Sequence, residues 1–205
     1  GGLLKEIPTR PQPRTGKVGG RQNKDDGIPR MPRIAVLILA AGQSRRTGKI
    51  NKLLAEIDGI PMAARVLKEV KASSANPTIV VTGHEAERVS QTLGDDDLTF
   101  VHNADYADGL STSLVAGVKA LPEHIDGVIV CLGDMPRVKA AHIDKLIAAF
   151  NPLEGRAICV PTSNGKRGNP VLWGTQFFEE MQDVAGDVGA RHLIGSYSEL
   201  VAEVP

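Results

Sequence analysis

The residues with the most chemical potential lie between Leu39 and Lys52, where the chain reads Leu39-Ala40-Ala41-Gly42-Gln43-Ser44-Arg45-Arg46-Thr47-Gly48-Lys49-Ile50-Asn51-Lys52. Small residues at 40–42 let backbone N–H groups approach an anion, and two arginines with two lysines bring charge for several phosphates. Two familiar glycine loops do not fit. A Walker A loop needs four residues between its Gly and Gly-Lys and then Ser or Thr; here five residues separate Gly42 from Gly48, and Lys49 precedes Ile50. The dinucleotide fingerprint G-x-G-x-x-G is absent, which argues against a nicotinamide oxidoreductase. From the residues alone the segment is either a phosphate loop of a third type or a plain strand-to-helix turn with solvated bases.

A second cluster is Cys131-Leu132-Gly133-Asp134-Met135-Pro136. One carboxylate after an apolar strand suits Mg²⁺, a hard cation that takes one or two carboxylates plus substrate phosphates. The same Asp also suits a helix or turn cap. Cys131 reads as buried apolar filler rather than a nucleophile. Three further loops carry polar residues: 103–113 with Ser111 and Ser113, where Ser111 suits a helix N-cap; Lys166-Arg167-Gly168-Asn169-Pro170; and Gly186-Asp187-Val188-Gly189-Ala190-Arg191. The five histidines (84, 102, 124, 142, 192) show no metal-ligand spacing, so no zinc site is expected.

The elements that must position these loops alternate in type. Residues 34–39 form a continuous apolar run, the pattern of a strand buried on both faces. Residues 61–73 repeat apolar side chains at helical spacing, with Pro61 suited to the first helical position. Strands follow at 78–81, 98–101, 128–132 and 157–160, separated by helical patterns at 84–93, 111–121 and 139–150. Such alternation predicts an α/β fold, a mostly parallel sheet flanked by helices on both faces. In that architecture ligands bind beyond the carboxyl ends of strands, where the polar clusters fall.

Composition sets the outer bounds. The chain has 205 residues, only two cysteines and seven aromatics, which excludes a disulfide-stapled miniprotein. No apolar run approaches the ~20 residues a bilayer crossing needs, and no signal peptide leads the chain; a cytoplasmic location and no membrane partner are expected. The net charge of zero conceals an asymmetry. Residues 1–33 hold eight bases against three acids, and the remainder 16 against 21. The first segment also holds five prolines and six glycines. Residues 1–32 are therefore expected to be a flexible basic linker, or the tail of an upstream domain, joined to a domain at 33–205. The start at Gly1-Gly2, without Met, reads as a piece of something longer. A basic arm could hold an acidic partner, but no aromatics interleave its charges, so nucleic acid is not expected.

Taken together, the run Leu39-Ala40-Ala41-Gly42-x-Ser44-x-Arg46-x-Gly48 with Lys52, then Gly133-Asp134-Met135-Pro136, Arg167-Gly168-Asn169-Pro170-Val171 and Gly186-Asp187-x-Gly189-Ala190-Arg191, resembles the molybdenum cofactor cytidylyltransferases over residues 33–205. These belong to the nucleotidyltransferases of Rossmann-like, GT-A-like fold. The Ala40-Ala41-Gly42 form, with the last two clusters, is closer to them than to the guanylyltransferases, which more often show Ala-Gly-Gly. Two positions depart from the family: Thr47 stands where Met or Phe is common, and Asn169 where His is common, which removes a titratable group there. Leu3-Leu4-Lys5-Glu6-Ile7-Pro8 is similar to the tail of a molybdopterin-binding domain that some members carry upstream.

The resemblance implies transfer of CMP from CTP to molybdopterin, giving a cytosine dinucleotide cofactor and pyrophosphate, with Mg²⁺ or Mn²⁺ on Asp134. A molybdoenzyme or maturation chaperone receiving the product is an implied partner. A phosphate attacking the α-phosphorus is already an anion and needs no general base; it needs positioning and charge neutralisation. Lys52 and Arg46 would face the triphosphate, with Arg45 and the amides of Ala41 to Ser44 beside them. The backbone of Leu39 to Ala41, the Thr82-Gly83 strand end, and Ser111 or Ser113 are candidate readers of the base. Arg167, Asn169, Asp187 and Arg191 would meet the second substrate. Two alternatives stand beside this reading: a nucleotidyltransferase for another acceptor (a GTP-dependent guanylyltransferase, or an enzyme for a sugar or alcohol phosphate), and a non-catalytic molybdopterin carrier.

Overall fold

The structure is a computed structural model that describes residues 30–43, 50–94, 96–186 and 189–205. Strand β1 (Ile34–Ala40) is followed by a small hairpin, β2 (Glu56–Ile57) and β3 (Ile60–Pro61), and by helix α1 (Met62–Ala72). Next come β4 (Thr78–Thr82), α2 (Ala86–Leu93), β5 (Leu98–His102), α3 (Leu110–Lys119), β6 (Gly127–Leu132) and α4 (Ala140–Ala149). The last part holds β7 (Ile158–Ser163), β8 (Lys166–Arg167), β9 (Val171–Gly174), α5 (Phe178–Met181), α6 (Arg191–Ser196) and β10 (Val201–Val204). The main sheet runs β10-β7-β9-β6-β1-β4-β5, with β8 paired to β7. All its neighbours along that path are parallel except β9, which lies antiparallel between β6 and β7.

The apolar run of β1 is the reason it sits centrally: all seven of its residues are buried. Alternate side chains feed two cores. Ile34, Val36 and Ile38 pack with Val66, Val70, Ile143 and Leu146 on the α1/α4 face. Ala35 and Leu37 pack with Leu114, Val118, Met181 and Leu193 on the face of α3, α5 and α6. A strand covered on both sides has no polar face to show, hence the unbroken apolar run. Among the described residues, no helix is long and apolar enough to cross a membrane.

Three element starts differ from the sequence reading. Pro61 ends β3 and caps α1, instead of opening the helix. Helix α2 begins at Ala86, because Glu85 adopts φ +51° and Gly83 pairs back to it in an isolated bridge. Ser111 is not the cap of α3: Gly109, at φ +116°, takes that place, and the Thr112 hydroxyl donates to the Gly109 carbonyl at 2.7 Å. The sequence patterning did not reveal β2, β3, β8, β9, α5, α6 or the short edge strand β10. That last strand pairs parallel to β7, with Val201 opposite Ile158.

Candidate functional site

The parallel register brings four strand ends level. Leu39 lies opposite Leu132, Ala40 opposite Thr82, and Thr82 opposite His102. Backbone bonds tie the segments that leave them: Gly133 N–H donates to the Leu39 carbonyl at 3.0 Å, and His84 N–H to the Ala41 carbonyl at 3.2 Å. Ala41 is buried, whereas a side chain at Gly42 would meet nothing within 4 Å. Ser44, Arg45, Arg46 and Gly48, expected to continue the phosphate loop, lie outside the described residues.

The chain returns through Asn51 into a 3₁₀ turn, Lys52–Leu54. Asn51 is 5% exposed, and its Oδ1 caps the turn by accepting from Leu53 N–H at 3.0 Å. Lys52 opens the turn and is exposed, while Leu53 turns inward. Leu53 meets the end of β6: a methyl group at Gly133 would fall 2.9 Å from Leu53 Cδ2 and 3.2 Å from the Leu39 carbonyl oxygen. Only glycine leaves room there. Leu53 is thereby the wedge between the turn that carries Lys52 and the strand end that carries Asp134.

Asp134 is exposed at the carboxyl end of β6. Among the described residues, no group of three or more His, Cys, Asp or Glu could hold a metal. A single free-standing carboxylate still fits a Mg²⁺ or Mn²⁺ ion, because such ions draw their remaining ligands from water and substrate phosphates. Burial pushes the Cys131 thiol up to about 12 and the Cys159 thiol up to about 11, so neither is a thiolate at neutral pH.

A cavity of about 520 Å³ opens on the α3/α6 face. Arg167, Asn169 and Arg191, expected to meet a second substrate, all line it. Asp187 of the same cluster lies outside the described residues. Arg167 Nε donates to Glu203 Oε1 at 2.7 Å, which holds the guanidinium at the cavity's rim. The floor is apolar: Leu114, Val130, Val160 and Ile194, with Trp173, the chain's one tryptophan. Leu39 and Leu132 also line it, so the cavity reaches the ends of both β1 and β6.

Of the expected base readers, Leu39 lines this cavity and the others do not. Thr82 is 2% exposed and its hydroxyl donates to the Val101 carbonyl at 3.4 Å. Gly83 packs so closely that a Cβ there would fall 2.5 Å from Tyr106 Cβ. Ser111 and Ser113 are buried, and Ser113 Oγ accepts from Asn103 Nδ2 at 2.9 Å. Neither serine lines the cavity; Leu110 does. Sequence reasoning gave Asn51 no role, although an Asn directly before a turn is the usual N-cap signal. Its Nδ2 is a buried donor with no hydrogen-bond partner among the described residues. Trp173 was likewise given no role.

Known proteins resemble this chain over most of its length. The model of the MobA-like NTP transferase domain matches residues 36–201. A bifunctional protein GlmU from Clavibacter sepedonicus is 32% identical over 152 residues, covering 69% of this chain but 30% of its own length. Among solved structures, the homologue of Mycobacterium tuberculosis Rv0371c from Mycobacterium sp. strain JC1 superposes with a TM-score of 0.74 at 26% identity, covering 84% of this chain and 85% of that one. The manganese complex of Rv0371c itself, from Mycobacterium tuberculosis H37Rv, gives 0.69 at 22% identity, with 84% and 87% covered.

Proposed function

The chain belongs to the MobA-like NTP transferase domain family, and on that premise we propose that it transfers a nucleotidyl group from a nucleoside triphosphate to a phosphorylated acceptor. CTP is the preferred donor and molybdopterin the acceptor. The observation that carries this reading is the reach of one cavity: it holds Arg167, Asn169 and Arg191 at one side, and Leu39 and Leu132 at the other. An acceptor resting there lies beside the strand ends from which the phosphate loop and Asp134 emerge.

The reaction asks mainly for charge control. A triphosphate and an attacking phosphate carry about five or six negative charges between them at neutral pH. Lys52 is the residue to stabilise charge building on the α-phosphoryl group, with Arg46 and the backbone amides after Ala40 on the rest of the tail. One such donor in a shielded site is worth about 10²–10³ in rate, or ~3–4 kcal/mol. Asp134 would hold the divalent ion, which when bound supplies Lewis-acid neutralisation of the phosphates. The manganese complex of a structural neighbour is compatible with that metal use. Arg167 and Arg191 attract the acceptor's phosphate, and Asn169 orients it by hydrogen bonding without titrating.

The acceptor's chemistry follows from the cavity floor. Trp173, Val130, Val160 and Ile194 offer a flat ring apolar contact and stacking. A sugar's hydroxyls would find few partners and lose water on entry. This favours a heterocycle such as a pterin. Similarity to a bifunctional GlmU protein supports the second reading, a nucleotidyltransferase for a different phosphorylated acceptor. Residues 1–32 serve in either case as an arm or a tail of an upstream domain, and the working location is the cytoplasm.

The test is pyrophosphate release from each of the four nucleoside triphosphates with Mg²⁺, offering molybdopterin or a sugar 1-phosphate. Release requiring CTP and molybdopterin is the expected result. Turnover with the sugar phosphate alone would establish the second reading instead.

A further inference from the structure

A second cavity, of about 470 Å³, lies on the opposite face of the sheet, against α4. It is distinct from the first but shares one wall with it, Gly168–Asn169. Neighbouring residues divide between the two: along β7 Val160 lines the first cavity and Pro161 to Ser163 the second, and in β8 Arg167 lines the first and Lys166 the second.

Its lining is one-sided in charge. The side chains Arg137, Lys145 and Lys166 line it, with no Asp or Glu side chain, and the terminal carboxylate of Pro205 is the one anion of this chain at its wall. Four other arginines find carboxylates: Arg65 meets Asp58, Arg88 meets Glu85, Arg156 meets Glu154 and Arg167 meets Glu203. Among the described residues, no carboxylate pairs with Arg137, Lys145 or Lys166. Three like charges around one concavity repel one another and focus a positive potential into it. His142 adds a donor. Its Nδ1 accepts Lys139 N–H at 3.2 Å, which puts the ring proton on Nε2. Hydroxyls come from Thr162 and Ser163. The floor is apolar, formed by Met135, Leu146, Pro161 and Val204.

We propose that this cavity is a binding site for a small organic phosphate, whose phosphate meets Arg137, Lys145 and Lys166 and whose apolar body rests on Met135, Leu146 and Val204. Both halves of that ligand are called for. Inorganic phosphate would leave the apolar floor wet, and a neutral ring would leave the cations unpaired. The volume falls within the ordinary range of about 300–1,000 Å³ for small-molecule sites. The site is separate from the nucleotidyl-transfer reading and stands if that reading fails.

The test is calorimetric titration of the full chain with 1-naphthyl phosphate, 1-naphthol and inorganic phosphate. Naphthyl phosphate should bind at one site, and the other two at least tenfold more weakly. The double variant Lys145→Ala/Lys166→Ala, two exposed side chains whose loss leaves the core intact, should raise the naphthyl phosphate Kd at least fivefold. Arg191→Ala, in the first cavity, should change it by less than fivefold. The proposal is overturned if naphthyl phosphate fails to bind, if the double variant shifts its Kd by less than fivefold, or if Arg191→Ala shifts it as much as the double variant does. Replacing the probe with CMP tells the sources apart. Binding that depends on Lys145 and Lys166 makes the occupant a nucleotide, and naphthyl phosphate binding without CMP binding makes it a non-nucleotide phosphate.

Discussion

Leu53 rests on Gly133. A methyl group at Gly133 would lie 2.9 Å from Leu53 Cδ2, and through this contact the turn that opens with Lys52 is seated against the strand end that delivers Asp134. The two groups proposed to work on one triphosphate thus share a single apolar joint, although 82 positions separate them in the chain.

Gly133→Ala should disturb that joint without unfolding the protein. The Leu53 end can swing aside, but the Leu39 carbonyl at 3.2 Å cannot. A loss of about 1–3 kcal/mol in stability is expected for such overpacking, with a fall in kcat larger than any change in nucleotide affinity. Chemical denaturation and steady-state kinetics on the same sample measure both. Wild-type kcat in a destabilised variant would show that the joint does not align the site.

Lys52→Ala should lower kcat about 10²–10³-fold while changing CTP binding little, because its proposed role lies in the charge that builds during reaction. An effect confined to KM would assign Lys52 to uniform binding instead. Pyrophosphate release combined with equilibrium CTP titration separates the two.

Asp134→Ala should abolish turnover with CTP still bound. Retention of more than a tenth of wild-type activity would remove Asp134 from the metal role. Titrating Mn²⁺ against the wild type and the variant gives an independent readout, with saturable binding in the presence of CTP expected only for the wild type.

Asn51→Ser separates a cap from a donor. Serine keeps the oxygen that receives Leu53 N–H and removes the unpartnered Nδ2. An unsatisfied buried donor costs about 1–3 kcal/mol, so the ligand-free variant should melt no lower than the wild type. CTP affinity should drop if that amide finds its partner in the bound nucleotide. Asn51→Ala loses the cap as well, about 1 kcal/mol, and should melt lower.

Stability should decline in alkali. Unfolded Cys131 ionises near its ordinary 9.0, whereas the folded thiol keeps its proton to about 12. Above pH 9 the unfolded chain therefore binds fewer protons than the folded one, and stability falls as pH rises from about 9 toward 12. Cys159, raised to about 11, acts in the same direction. Urea melts at pH 8 and pH 10.5 test this against a Cys131→Ala/Cys159→Ala variant, in which the drop should shrink.

Much of the sheet was legible because burial on both faces leaves a visible apolar run, as at 34–40. Strand direction was not. Val171-Leu172-Trp173 is too short an apolar run to announce a strand, and only its partners reveal both the strand and its backward run. The start of α3 was misread because Gly109 caps it by backbone conformation, with no side chain to betray the role. In the site, Lys52 and Asp134 stood out by type and by position after strands. Asn51 offered only the signal of a cap, because the burial of its amide is a tertiary fact, as is the membership of Trp173 in a cavity.

The reversal of β9 has an evolutionary corollary. In the other sheet strands near the site, functional residues are met as the chain exits; here Gly168 and Asn169 are met on the way in, ahead of Val171. The 164–170 hairpin can therefore lengthen, shorten or change composition without dragging the phosphate-loop half along. Relatives that diverge in acceptor should differ first in this hairpin.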